Sequence, residues 1–163
     1  MTLPGYDKQL MEGKEFTYHQ VVEKRYYALN LTGLSNGREK FGSENFKAVI
    51  DSGTSLIVGP HHLIRPMLEH IVVEPDCSEL EKLPTISFEI DGIEYKLEPN
   101  DYVLRISHAG QTECAVALMS AEMPESFKYI ILGDVFMRRY YSYFDTNQDR
   151  VGFIDVKSLP TMM

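Results

Sequence analysis

The chain has 163 residues, one domain's worth, and carries 16 Lys+Arg against 24 Asp+Glu for a net charge of −8. That balance argues against a protein that grips phosphate backbones, which needs clustered basic side chains, so no nucleic-acid partner is expected. Hydrophobic residues at 44% and charged residues at 25% are ordinary for a globular domain, and no apolar run is long enough for a membrane-spanning helix.

The opening Met1-Thr2-Leu3-Pro4-Gly5-Tyr6 has neither the basic region nor the apolar core of a signal peptide. Residues 15–22 and 25–31 read as two strands broken by a charged turn. Asn36-Gly37 reads as a tight turn, and 45–50 as a strand that becomes fully apolar at Ala48-Val49-Ile50. Residues 60–70 carry a helix signal, with Pro60 suited to a first turn and Pro66 opposing the interior. Ile86, Phe88 and Ile90 alternate with polar neighbours, Asp91-Gly92 turns the chain, and Ile93, Tyr95 and Leu97 alternate again, which predicts a hairpin. Residues 113–119 and 128–132 read as further strands, and Asp134 is placed to cap a short helix over 134–139. A second hairpin joins 140–144 to 150–156 around Asp145-Thr146-Asn147-Gln148-Asp149. The pattern predicts one mostly-β domain over residues 1–163 with short helices.

Cys77 and Cys114 lie far apart, without Cys-x-x-Cys spacing or a histidine placed to complete a zinc site. The two residues read equally as buried free thiols or as one disulfide closing a long loop, worth roughly 3–4 kcal/mol. His61 and His62 lack the spacing of a zinc helix and read as solvated at a helix start, so no metal is expected. Asp145 and Asp149 suit a hairpin turn, and Tyr140, Tyr141, Tyr143, Phe144 and Phe153 suit sheet packing. Asn30-Leu31-Thr32 is a glycosylation sequon, set in an apparent strand.

The informative segment is Ala48-Val49-Ile50-Asp51-Ser52-Gly53-Thr54-Ser55. An apolar strand delivers a carboxylate to its end, followed at once by small hydroxyl residues and a glycine. Gly53, without a Cβ, can bring its N–H to the Asp51 carboxylate, and the Thr54 hydroxyl can donate to it; such donors favour and orient the ionised form. Alone, the tetrapeptide reads first as turn chemistry. The downstream segments Ile131-Leu132-Gly133, Asp134-Val135-Phe136-Met137-Arg138-Arg139-Tyr140-Tyr141, Phe144-Asp145 and Val151-Gly152-Phe153 reverse that order.

This ordered set closely resembles the C-terminal lobe of pepsin-like aspartic proteases, the family of pepsin, cathepsin D and the plasmepsins. Gly5-Tyr6-Asp7 and Arg25-Tyr26-Tyr27-Ala28-Leu29 are similar to that lobe's early segments, so the resemblance spans nearly the whole chain. It implies a lobe of six-stranded and smaller sheets. It also implies an endopeptidase, made as a zymogen, whose two lobes each give one aspartate. The carboxylates share a proton and hold a water: one acts as general base on it, and the other polarises the peptide carbonyl. Asp51 would be this lobe's aspartate. Ser52 would reach toward the other lobe's backbone, Gly53 and Thr54 would brace the carboxylate, and Thr54, Ser55 and Tyr26 would lie along the bound peptide. The resemblance also implies a Cys77–Cys114 disulfide, no cofactor, a polypeptide substrate, pepstatin-type inhibitors, and a secretory, lysosomal, vacuolar or secreted setting at acidic pH. Pro4 stands where the family more usually has glycine, and only one Asp-Ser-Gly-Thr-type motif occurs. The N-terminal lobe, its aspartate and its flap tyrosine are absent from this sequence. The chain alone is therefore expected to be inactive, with an apolar lobe interface free to form homo-oligomers. The contrasting reading is a non-catalytic pepsin-like module that binds peptides or another protein.

Overall fold

The computed structural model describes residues 5–6, 14–43, 45–108 and 110–155. The chain runs β1 (Thr17–Gln20), β2 (Ala28–Ser35), β3 (Lys40–Gly42), β4 (Lys47–Ile50), β5 (Ile57–Pro60) and α1 (His61–Leu68). A 3₁₀ turn (Leu80–Lys82), β6 (Ile86–Ile90), β7 (Ile93–Leu97), α2 (Pro99–Tyr102), β8 (Val103–His108) and β9 (Gln111–Val116) follow. The chain then forms β10 (Leu118–Ala121), β11 (Tyr129–Leu132), α3 (Asp134–Arg139), β12 (Tyr140–Asp145) and β13 (Arg150–Asp155). Pro4, Asp7 and Val156 lie outside the described residues.

The mostly-β class with short helices holds. The strand counts differ from the expected six. Among the described residues the sheets contain three strands (β1-β13-β12), eight (β10-β5-β11-β4-β2-β6-β7, with β3 beside β2) and two (β8-β9). The reason is the length of β2. Its first residues, Ala28 to Asn30, pair with β4, and its later residues pair with β3 and, from Leu31 on and across an irregularity between Leu31 and Gly33, with β6. One long strand thus fuses two smaller ladders.

Several local expectations shift for physical reasons. The strand expected over 25–31 begins only at Ala28, because Lys24 to Tyr27 form a turn. The strand expected over 113–119 is two strands separated at Ala117. Pro60 is the N-cap of α1 rather than its first residue; the helix tolerates Pro66 because the carbonyl that loses its partner belongs to exposed His62. Gly133, not Asp134, is the N-cap of α3, and no side chain caps it. In the β6–β7 hairpin, Asp91 and Gly92 both have positive φ, as its tight turn requires, but Ile93 beside the turn is 43% exposed.

Phe136 of α3 locks the three-stranded sheet onto the eight-stranded one. Its ring meets Phe153 at 5.4 Å, Tyr140 at 5.0 Å, Tyr95 at 5.9 Å and Phe88 at 6.4 Å, and all five residues are buried. Buried His19 of β1 adds a polar tie: Nδ1 stands 2.9 Å from Asp91 Oδ2 and Nε2 2.5 Å from the Tyr95 hydroxyl. Burial pushes that hydroxyl well above the ordinary tyrosine range. Cys77 and Cys114 form a disulfide with a Cα–Cα distance of 5.1 Å, fastening the segment before the 3₁₀ turn to β9.

Candidate functional site

In β4, Ala48 and Ile50 are buried, and the strand ends by delivering Asp51, half-buried, to the surface. β11 lies parallel to β4, pairing Leu132 with Ile50, and the Asp51 N–H donates to the Leu132 carbonyl at 3.2 Å. The loop then folds back on its own carboxylate. The Gly53 N–H donates to Asp51 Oδ1 at 2.9 Å, and Thr54 Oγ1 donates to Oδ2 at 2.6 Å. A Cβ at Gly53 would come within 3.2 Å of that Oδ1, so a side chain there would crowd the approach. Each carboxylate oxygen therefore has one uncharged donor. Among the described residues, no ion pair involves Asp51.

The loop is lashed to the start of α3. The N–H groups of Gly133, Asp134 and Val135 donate to the carbonyls of Leu56 (3.2 Å), Thr54 (2.8 Å) and Ser55 (3.3 Å). A Cβ at Gly133 would fall 2.0 Å from the Thr54 carbonyl oxygen and 2.5 Å from that of Leu56, so only glycine permits the contact. The Asp51 loop and the Ile131-Leu132-Gly133 segment, both singled out in the sequence, are thus neighbours in space.

Asp51 lines an open groove of about 510 Å³ with Tyr26, Tyr27, Phe127, Tyr129 and Ile131. Tyr26, on the turn before β2, is 40% exposed and packs edge-on to Tyr129 at 5.7 Å; Phe127 meets the same ring at 4.9 Å. The structure therefore brings Tyr26 to Asp51. Ser52 and Ser55 are exposed on the loop outside the groove's lining, and the half-buried Thr54 turns its hydroxyl to Asp51. The sequence reading missed Phe127 and Tyr129 as site residues. The available signal was an aromatic pair just before and at the start of the strand that carries Ile131 and Leu132.

Behind the groove, Glu23 Oε2 accepts from the Tyr129 hydroxyl at 2.8 Å and from Lys47 Nζ at 2.7 Å. The hydrogen bonds from Lys47 and Tyr129 hold the Glu23 carboxyl below its usual range, and the same bonds push Lys47 and Tyr129 upward.

The remaining candidates lie elsewhere. His62 is exposed against the edge of Phe46, whereas His61 is half-buried with Nδ1 shut away and unbonded, so it is not the solvated side chain expected. Among the described residues, no cluster of three or more His, Cys, Asp or Glu is arranged to hold a metal. Asn30 is exposed on β2, while the Thr32 hydroxyl of the same sequon bonds Glu89 Oε1 at 2.7 Å and receives the Gly92 N–H at 3.0 Å. No helix among the described residues is long and apolar enough to cross a membrane.

A family model described as eukaryotic aspartyl protease matches residues 1–156. Cathepsin D of Clupea harengus is 36% identical over 163 residues, covering 94% of this chain and 41% of its own length. Plasmepsin VI of Plasmodium berghei (strain Anka) is 33% identical over 158 residues, 90% of this chain and 36% of its own. Cathepsin D of Homo sapiens is 35% identical over 170 residues, 98% of this chain and 41% of its own. The chain thus spans about two fifths of the length of these curated relatives.

Proposed function

The chain belongs to the eukaryotic aspartyl proteases, and from that premise we propose that residues 1–163 form the C-terminal lobe of a two-lobed endopeptidase in which Asp51 supplies one of two water-activating carboxylates. The observation that carries this reading is the state of the Asp51 side chain. It is oriented through both oxygens, carries no counter-ion among the described residues, and opens on an aromatic-walled groove. A carboxylate so held is aimed to share a proton and a water with a facing acid. Gly53 and Thr54 orient it. Tyr26, with Phe127 and Tyr129, offers apolar surface to a substrate side chain, while Ser52 and Ser55 stand free on the loop for the partner lobe and the peptide backbone. The non-catalytic reading gains nothing from an unblocked carboxylate.

A lone carboxylate lacks the mate with which to share a proton, so this chain by itself does not hydrolyse peptides. The complete enzyme works at acidic pH, is made as a zymogen, takes polypeptide substrates and binds pepstatin-type inhibitors. The disulfide and the acidic surface suit a secretory, lysosomal, vacuolar or secreted setting, where Asn30 is open to glycosylation. Exposed Tyr26 and Tyr27 beside Asp51 belong to the face that meets the N-terminal lobe and, without it, drives self-association. The test is incubation of the purified chain with an unfolded protein at about pH 4. The expected result is no cleavage, together with concentration-dependent association in light scattering. Cleavage blocked by a pepstatin-type inhibitor would show that this chain holds a complete site.

A further inference from the structure

We propose that Glu23 is a positioning residue for the groove beside Asp51: with Lys47 as its counter-ion, it ties the groove's two aromatic walls together through Tyr129. The inference rests on reading that groove as the place where substrate binds. The walls come from separate parts of the chain. One is the turn of Lys24 to Tyr27, which carries Tyr26 and Tyr27; the other begins β11 with Tyr129 and follows Phe127. Glu23 belongs to both. Its backbone bridges to Ala28 and so closes the turn beneath Tyr26, while its side chain reaches over β4 to Lys47 and on to the Tyr129 hydroxyl on β11. A single oxygen, Oε2, receives both donors. Lys47 Nζ also lies 5.7 Å from the centre of the Tyr129 ring, so the cation braces the ring's face as well as its hydroxyl. Glu23 does not itself line the groove, so its removal takes away no contact surface there. It acts through Tyr129, whose ring then turns free of Tyr26.

The charged and titratable groups facing this clamp are Lys47, Arg25 and Tyr129 around Glu23, and Glu23, Lys47 and Tyr26 around Tyr129. Because Lys47 and Tyr129 hold Glu23 below the usual carboxylate range, the clamp persists into mildly acidic solution.

The experiment has two arms. In the first, the ionisation of the Tyr129 phenol is followed in this chain by tyrosine carbon NMR, with Tyr129→Phe assigning the signal. Glu23→Ala and Glu23→Gln both move it to lower pH, because both remove the carboxylate that accepts its hydrogen bond and, with it, the negative charge beside it. In the second, peptides varied at the side chain that enters the groove are cleaved by the complete gene product. Glu23→Ala raises KM for aromatic-bearing peptides about tenfold, the scale of one hydrogen bond to a charged group, with kcat within about twofold. Glu23→Gln, which keeps an acceptor for the hydroxyl, recovers most of that loss. An unmoved Tyr129 ionisation, or an unchanged KM in Glu23→Ala, overturns the proposal. The reading of the groove fails separately: if peptides varied at this position are cleaved indifferently by the wild type, the groove is not where they bind, and the proposed role in substrate positioning falls with it even though the first arm succeeds.

Discussion

Asp51 and Asp145 use the same local chemistry to opposite ends. Each stands at the end of a strand and ties down the turn that follows: Asp51 takes the Gly53 N–H at 2.9 Å, and Asp145 takes the Gln148 N–H at 3.3 Å. They part at the second oxygen. Asp145 Oδ2 receives Arg150 Nε at 2.8 Å, directly across the β12–β13 pair, and the residue is buried. Among the described residues, Asp51 Oδ2 receives only the uncharged Thr54 hydroxyl, and the side chain faces the groove. An arginine consumes the charge that a hydroxyl merely aims. That difference, more than the turn geometry, separates a carboxylate that builds a hairpin from one available for acid–base work.

The contrast breaks most forcefully at Gly133. In Gly133→Ala the new methyl meets the Thr54 and Leu56 carbonyls, so the loop must leave α3, and urea denaturation is expected to show a loss of about 4 kcal/mol or more. A loss under about 1 kcal/mol would mean that the loop yields cheaply and that its geometry is not imposed from below. Arg150→Gln probes the other carboxylate. The Arg150 hydrogen bond holds the Asp145 carboxyl below its usual range, so the pair's contribution is present above the ordinary carboxylate value near 3.9 and fades as pH falls through the lowered one. Stability measured at about pH 6 and about pH 2 should therefore differ less in Arg150→Gln than in the wild type; an equal difference would dissociate Asp145 from acid unfolding. Thr54→Val has the smallest structural effect, about 1 kcal/mol in stability, while lowering kcat of the complete gene product about tenfold. Thr54→Ser should restore the rate. A fall in stability without a fall in rate would make Thr54 a turn residue like Gln148.

What the sequence reveals divides along the same line. The Asp51 loop is contiguous, so its donors at Gly53 and Thr54 are readable from spacing alone. The β6–β7 hairpin is readable because Phe88 and Tyr95 fall on alternating positions and Asp91-Gly92 permits the turn. Two strands that escape notice do so for different reasons, although in β8 Leu104 and Ile106 alternate with Arg105 and Ser107. β5 is four residues buried throughout and ends in Gly59-Pro60, which imitates a turn, and β8 is largely exposed in a two-stranded sheet. Asp134 looked like a cap because it is acidic and follows a glycine, but the backbone N–H of Asp134 is already held by Thr54, and Gly133 takes the cap position. The groove was only partly legible. Tyr26 came from resemblance, whereas Phe127, Tyr129 and Glu23 meet Asp51's surroundings only after β4 and β11 pair in parallel. The disulfide, left open by spacing, needed the fold to bring Cys77 to Cys114.

The most direct trial of the central claim is Asp51→Asn in the complete gene product, assayed on an unfolded protein in acid, with near-ultraviolet circular dichroism as the check on folding. The account predicts an unaltered spectrum and a rate reduced at least 100- to 10,000-fold, roughly the share a positioned acid or base supplies. Cleavage near the wild-type rate by the folded variant would contradict it.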